Sequence, residues 1–573
     1  MEADPTATPL YDLTIGRTFL HDKSYFRFTT MRELVDRTEP EPLVTAKPSL
    51  GIKPLPIGVT VRLGRLDGLA AEERSETEES EEKPVMSGIE MLAALLHYTL
   101  GLLRYEVGSV HPFHRATPSP RCRYATELYV CIGEKQSVID SEMAGIYRYH
   151  PVKHALETRR QGDYMASLAQ AAGVSLSGVD FIIVVVSDFW RLACIYDDFS
   201  FHLAALEAGH VLGQLQLVGR AAGCRVHCHY GFVDSELERL IGLRESEECA
   251  MALLMFECGG HATRESGAAP RVHAGRLEAA PVSHSGESGF NARMAQCPEL
   301  LAMVRASRIT TRKELDYWRS YGGESELPPQ CREARSLTAA AFTPGSEKRP
   351  VSDMGSAGKA AGLIRYADNT GKWNNEELAD ALRTRSGAND VIGLTAGSCL
   401  EWGDLSRVLK AYYSDRDPAW ITCRNAMRLF AAVNRVNGLP SGIYEVDSNG
   451  LGLLPVRQGD ISALLEEAYE APGRVLNARS IPLSFFIAVH YESCLERYGN
   501  RGYQLLHLEV GRAAQYLAVL AGGAGWFLRP VKGYDDLLTE ELLGLLRSPF
   551  TVAYQLLAGE NRTPYLSFDL SLL

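Results

Sequence analysis

Phe181–Gly223 reads FIIVVVSDFWRLACIYDDFSFHLAALEAGHVLGQLQLVGRAAG and runs on to HYGFVDSELERLIGL at His229–Leu243. The same text returns, altered but ungapped, at Ser484–Leu545 as SFFIAVHYESCLERYGNRGYQLLHLEVGRAAQYLAVLAGGAGWFLRPVKGYDDLLTEELLGL. Tyr196 falls on Tyr498, Glu207 on Glu509, Gly209 on Gly511, Gly231 on Gly533 and Gly242 on Gly544, each pair 302 positions apart. A spacing held over such a length marks an internal duplication, so the chain is read as two copies of one fold. Each copy opens on a continuous apolar run, FIIVVV or SFFIAV, which predicts a buried strand, and continues into a long helical segment. Strands alternating with helices indicate a layered α/β or α+β fold.

The length agrees, because 573 residues exceed what one hydrophobic core supports and suit two domains of roughly 250 residues. The stretch His261–Gly289 is rich in Gly, Ser, Ala and Pro and reads as a linker, which divides the chain into domains at 1–262 and 290–573 around a linker at 263–289. No run approaches the ~18 apolar residues of a membrane helix. The opening MEADPTATPLYDL is acidic and carries no secretory signal, and the twelve cysteines form no CxxC pair, which together point to reduced thiols in a cytoplasm. Cys224, His227, Cys228 and His229 crowd together in CRVHCH, but the second copy has GWFLRP there, so the stretch reads as an edge strand rather than a metal site. A net charge of −12 argues against nucleic acid, whose phosphates require a basic face, and suits a basic peptide better. The acidic run Ala70–Pro84 reads as a solvated loop.

Other elements also come in pairs. Met91, Leu95, Tyr98 and Leu102 keep helical spacing in the first copy, as do Leu405, Leu409 and Tyr412 in the second. GIYRYH (Gly145–His150) matches GIYEVD (Gly442–Asp447), and RQGD occurs at Arg160–Asp163 and again at Arg457–Asp460. Gly209 and Gly511 would let two central helices approach closely, and Glu207 and Glu509 read as packing or salt-bridge positions between the copies.

What the copies do not share carries the chemistry. LADALRTRS (Leu378–Ser386) has no equivalent in the first copy and gathers Arg383, Arg385 and Ser386 at a helix end before a glycine. Guanidinium forks and a hydroxyl in so small a volume suit a phosphate. In return, Ser119 of the Pro118–Arg121 loop falls on Trp420 in the second copy. Each copy lacks the other's part.

These residues resemble a family. RTRS is similar to the arginine-serine opening of the nitroreductase superfamily; TPSPRCRYATELYV (Thr117–Val130), GIYRY and EAGHVLGQL (Glu207–Leu215) resemble its azoline dehydrogenase branch, the SagB type, in the tandem form of thiopeptide pathways. The resemblance covers roughly 88–260 and 375–560 and implies an α+β fold of tandem nitroreductase-like domains that form an intramolecular pseudodimer. It implies FMN at the interface, its phosphate held by Arg383, Arg385 and Ser386, with Ser119, Arg121, Arg123 and Tyr196 approaching from the other copy. The opposite site, with Trp420 in place of the serine, is expected to be degenerate.

The implied reaction is oxidation of thiazolines or oxazolines to thiazoles or oxazoles in a ribosomally made peptide, beside a cyclodehydratase, with oxygen reoxidising the flavin. The family's Lys-Tyr pair reads Ile195-Tyr196 and Arg497-Tyr498 here, so Tyr196, Tyr498 and Arg497 are the catalytic candidates. A phenol with a usual pKa of about 10 needs a neighbouring cation to serve as a base, and Arg121 and Arg123 are the cations at hand. Two other functions remain open on the sequence: an NAD(P)H-dependent nitro or quinone reductase, and a scaffold of a peptide-modifying complex. Further pairing of the pseudodimer into a homodimer is also open.

Overall fold

A computed structural model describes residues 13–25, 47, 49–56, 88–109, 111–134, 139–244, 247–258, 297–322, 362–367, 380–382, 385–387, 398–414, 426–447, 449–469, 477–561 and 566–570. Arg383, Trp420, the linker and the acidic run at 70–84 lie outside the described residues.

Each half carries a seven-stranded, wholly antiparallel sheet. Across the first, the strands run Ile52–Pro54, Ala155–Gln161, Gly145–His150, Thr126–Ile132, Phe181–Asp188, Glu248–Glu257 and Arg225–His229. Across the second they run Ile364–Arg365, Gly452–Gln458, Gly442–Val446, Met427–Val433, Leu483–Val489, Thr551–Glu560 and Trp526–Val531, which is the same order. Even the irregularities repeat: a register shift at Val185/Val186 recurs at Ile487/Ala488, and one at Ile146/Tyr147 recurs at Ile443/Tyr444. Antiparallel pairing decides between the two layered classes, and the fold is α+β. FIIVVV and SFFIAV are buried strands near the middle of their sheets, and CRVHCH and GWFLRP supply the edge strands.

The repeated sequence builds a central helix in each half, Ser200–Ala221 and Arg501–Gly523, buried along nearly its whole length. The two helices cross where neither has a side chain. A Cβ added at Gly209 would lie 2.3 Å from the Leu508 carbonyl oxygen, and one at Gly511 would lie 2.2 Å from that of Leu206, so only glycine fits this crossing. The paired outer helices Gly88–Leu100 and Trp402–Ser414 match their apolar spacing, except that Leu102 falls beyond the first helix's end.

The halves also exchange elements. Phe19, on the N-terminal helix Thr14–Tyr25, packs edge-on to Phe201 of the first central helix and Tyr503 of the second, while Gly16 N donates to Asn500 Oδ1 (3.0 Å). At the other terminus, Ser567–Asp569 pairs with Arg104–Glu106 of the first half, whose far side pairs with Phe113–His114. Segment 297–322 packs on the first half, with Leu300 N on Asp198 (2.8 Å) and Ile309 N on Asp234 (2.7 Å). One cysteine pair departs from the expected free thiols: Cys224, just before the edge strand Arg225–His229, is disulfide-bonded to Cys258, just after the neighbouring strand Glu248–Glu257. Among the described residues no helix is long and apolar enough to cross a membrane, and no cluster of three metal-binding side chains occurs.

Candidate functional site

The crossing of the central helices divides the seam into two ends, and they are furnished differently. At one end, Arg385 and Ser386 form a turn just past the helical residues 380–382. Arg385 N donates to the Ala381 carbonyl (3.0 Å), and the Ser386 carbonyl accepts from Leu528 N (3.0 Å), which ties the turn to the edge strand that also bears Arg529. The Arg385 side chain is buried, and its Nε and Nη1 have no hydrogen-bond partner among the described residues. Its electrostatic neighbours are Arg104, Tyr124 and Cys122 of the first half and Tyr554 of its own. Burial, with Arg104 beside it, pulls this guanidinium down to about 10. Dry, unpaired donors cost about 1–3 kcal/mol each, more on a charged group, unless a ligand supplies acceptors.

Facing Arg385 is the loop Ser119–Tyr124. Arg121, Cys122 and Tyr124 all adopt left-handed backbone angles (φ 46°, 53° and 48°), each at a cost of order 1–3 kcal/mol that surrounding bonds must offset. Ser119 Oγ donates to Glu207 Oε2 (2.7 Å) and accepts from Tyr124 N (2.7 Å), and Thr126 N donates to Glu207 Oε1 (2.8 Å). Arg115 stacks on the Tyr124 ring at 3.9 Å, and Arg191 donates to the Tyr124 carbonyl (2.8 Å). Behind the loop, burial would raise the Glu127 carboxyl, but Lys47, Arg191 and Arg148 overcome it and hold the group well below the usual range.

Between loop and turn runs a buried polar chain that joins the halves. Gln515 Nε2 donates to Gln214 Oε1 (2.8 Å) and to the Ala116 carbonyl (3.2 Å), which leaves its Oε1 facing His210 Nδ1 (2.9 Å). Nδ1 therefore carries the proton, and Nε2 accepts from the Tyr554 hydroxyl (3.2 Å). Burial lowers His210 to about 3, so this imidazole is neutral.

Of the residues singled out in the sequence, Ser119 and Arg385 come to this end of the seam, together with the loop bearing Arg121 and Arg123 and the turn bearing Ser386. Tyr196, buried at the end of the short helix Trp190–Tyr196, has the Arg121 guanidinium 5.8 Å from its ring centroid. Glu207 is corrected: it binds Ser119 and Thr126 within its own half rather than bridging the copies. Arg104, Arg115, Tyr554 and His210 were missed. Arg115, four residues before Ser119 in an Arg-rich loop, was within reach of the sequence; Tyr554, on a plain apolar strand, carried no signal.

The other end is filled by side chains. Tyr498 is packed against Trp318 (5.5 Å between centroids), with Arg497 5.3 Å from the Tyr498 ring centroid. Trp318 in turn lies over Gly231, where a Cβ would come within 2.6 Å of the indole. Glu509, the counterpart of Glu207, does bridge the copies: it accepts from Tyr230 of the first half (2.5 Å) and is paired with Arg512 (2.6 Å).

No family model matches the chain. A candidate nitroreductase of Anabaena variabilis superposes on it with a TM-score of 0.66 at 18% identity, covering 96% of this chain and 100% of that one. The fold is nitroreductase-like. A candidate nitroreductase of Methanocaldococcus jannaschii is 23% identical over 133 residues, or 23% of this chain, and the match spans 65% of that protein's length. The Escherichia coli microcin synthetase McbBCD complex with truncated pro-MccB17 bound overlaps 43% of this chain at 18% identity, and its TM-score of 0.26 is too low to bear on function. The nitroreductase-like fold extends over nearly the whole chain, so both sheets and both central helices belong to it.

Proposed function

We propose that the chain is an FMN-dependent dehydrogenase that oxidises thiazolines or oxazolines to thiazoles or oxazoles in a ribosomally made peptide. In this reading, domains 1–262 and 290–573 form a pseudodimer that works beside a cyclodehydratase in the cytoplasm. The observation that carries it is Arg385, a buried guanidinium with two nitrogens unpaired among the described residues and with Arg104 as an electrostatic neighbour. Arg104 is half-buried and paired with Glu106 (2.9 Å), so the buried Arg385 supplies the open donors and Arg104 a second guanidinium nearby, a set that suits an anion such as a phosphate. Arg383, Arg385 and Ser386 would hold the phosphate, while Ser119, Arg121 and Arg123 would approach the ring system from the other half. Bound FMN would supply the two-electron acceptor for ring oxidation, with molecular oxygen as final oxidant.

Tyr196 would act as a phenolate, which the nearby Arg121 cation favours, and would become a neutral phenol on taking the ring proton. Tyr498 and Arg497 occupy the corresponding place at the other end, where Trp318 and the Glu509–Arg512 pair support a closed seam and one flavin per chain. The order of the TPSPRCRY, GIYRY and EAGHVLGQL motifs supports the azoline substrate.

The absorption spectrum and flavin-to-protein ratio of the purified chain test the cofactor. About one FMN per chain is expected, and Arg385→Ala should empty the site; undiminished flavin in that variant would overturn the assignment. Incubation of a thiazoline-bearing peptide in air tests the reaction by the loss of two hydrogens, whereas rapid bleaching of the flavin by NAD(P)H alone would make the chain a reductase.

A further inference from the structure

Three elements of the first half meet at one side chain. Glu207 projects from the central helix, fully buried, with one carboxylate oxygen on the Ser119 hydroxyl and the other on the Thr126 amide. Ser119 and Thr126 bracket the stretch in which three non-glycine residues are held left-handed. The Ser119 hydroxyl spends its proton on Glu207 and a lone pair on Tyr124 N, so it is an internal strut of the loop. Nothing in the local sequence favours left-handed angles at Arg121, Cys122 and Tyr124, and Glu207 ties the loop at both ends.

We propose that Glu207 is the positioning residue of this seam, clamping the Ser119–Tyr124 loop in its strained form so that the loop and Arg385 present one preformed cofactor site. This rests on the flavin reading for the identity of the cofactor, but not for the clamp itself. Glu207 carries a second consequence, because it is an electrostatic neighbour of Cys122 and Tyr554, which are themselves neighbours of Arg385. Burial raises the Glu207 carboxyl against the opposing effect of its bonds from Ser119 and Thr126, and in its ionised form it would disfavour the addition of electrons to a bound flavin.

Cys122 lies within the clamped loop, half-buried and a free thiol, and it reports on the clamp without any cofactor. The test compares wild type with Glu207→Ala, Glu207→Gln and Ser119→Ala, reading iodoacetamide labelling of Cys122 by peptide mass mapping, FMN affinity, and the midpoint potential of the bound flavin. With both hydrogen bonds of the clamp gone, Glu207→Ala should label Cys122 at least about tenfold faster and bind FMN at least about tenfold more weakly. Glu207→Gln keeps one accepting oxygen and should fall between the two, with a midpoint potential more positive than wild type. If Glu207→Ala does not fold, Ser119→Ala removes the loop-side strut, leaves the carboxylate in place, and should still speed labelling. Cys122 labelling within twofold of wild type in a folded variant would overturn the clamp. A wild-type chain that takes no FMN would sink the flavin reading, and the labelling rates would still decide the role of Glu207.

Discussion

Adding one methyl at the crossing of the central helices should damage the whole molecule. In Gly209→Ala the new carbon would sit 2.3 Å from the Leu508 carbonyl oxygen and 2.9 Å from the Gly511 Cα, both backbone atoms that no rotamer change can move. Carbon and oxygen approach to about 3.3 Å at closest in such contacts, so the helices must part by roughly 1 Å. They are buried along almost their full length, and a gap of that size forfeits about a quarter to a half of each facing contact. Overpacking of this kind costs about 1–3 kcal/mol, and the upper end applies here because rigid backbone is displaced. At roughly 1 °C per kcal/mol for a chain of 573 residues, the melting temperature should fall by about 2–4 °C. Gly511→Ala should behave alike, since its methyl would meet the Leu206 carbonyl at 2.2 Å. Once one methyl has parted the helices the second finds room, so the double variant should lose at least about 1 kcal/mol less than the sum of the singles. Scanning calorimetry of the four proteins measures this. A Gly209→Ala melting temperature equal to wild type, or strict additivity in the double variant, would refute the close crossing.

Burial holds both His210 and His507 at about 3, against 6.5 in an unfolded chain. Stability from keeping each neutral is fully present above pH 6.5 and is lost as pH falls toward 3, so between pH 7 and 5 wild type should lose about 2 kcal/mol more, by urea unfolding, than His210→Gln or His507→Gln; equal losses would contradict this. Glu540 has the opposite sign: burial, with Asp536 beside it, raises its carboxyl to about 7, so its contribution is present below pH 4.5 and lost as pH rises through 7. Glu540→Gln should therefore gain up to about 2 kcal/mol on wild type between pH 5 and 8, and a pH-independent difference would exclude the assignment. Phe19→Ala removes the ring lodged between Phe201 and Tyr503 and should cost about 3 kcal/mol, read as a lower urea midpoint, whereas an unchanged midpoint would mean that the N-terminal helix is not part of the core.

The duplicated architecture was legible because it rests on local patterns that repeat. Apolar runs became central strands, the glycine pair became the crossing, and Arg385 and Ser386 lie at the seam. What escaped notice depends on contacts between distant residues. Arg104 looks like a helix-end residue in GLLRYE; only the pairing of its strand with Ser567–Asp569, more than 450 positions away, brings it beside the other half. Cys224 and Cys258 are 34 residues apart with no motif around them, and they meet because their strands neighbour each other at one sheet edge. Glu207 was misread for a different reason. Its counterpart Glu509 does bridge the halves, but the partner of Glu207 is a serine loop that the second copy lacks, so equivalence in sequence did not imply equivalence in bonding.

That inequality shows how a duplicated chain becomes asymmetric. The packing at the crossing constrains both copies equally, since each glycine meets the other copy's backbone, and here the copies remain alike. At the very next residue, His210 of one copy corresponds to Arg512 of the other, and the two seam ends diverge. The neutral imidazole hands its bonds across the seam to Gln515 and Tyr554, which leaves the Glu207 carboxylate to the serine loop. A guanidinium at the equivalent place instead turns back on its own Glu509, and Tyr230 takes the remaining oxygen, so that carboxylate has nothing left for a loop. An ion pair buried this deeply tolerates the loss of either partner badly, because the survivor is an unpaired charge out of water. Histidine in one copy and arginine in the other thus go with different bonding of the two glutamates, and at the end that keeps the histidine two nitrogens of Arg385 stay unpaired among the described residues.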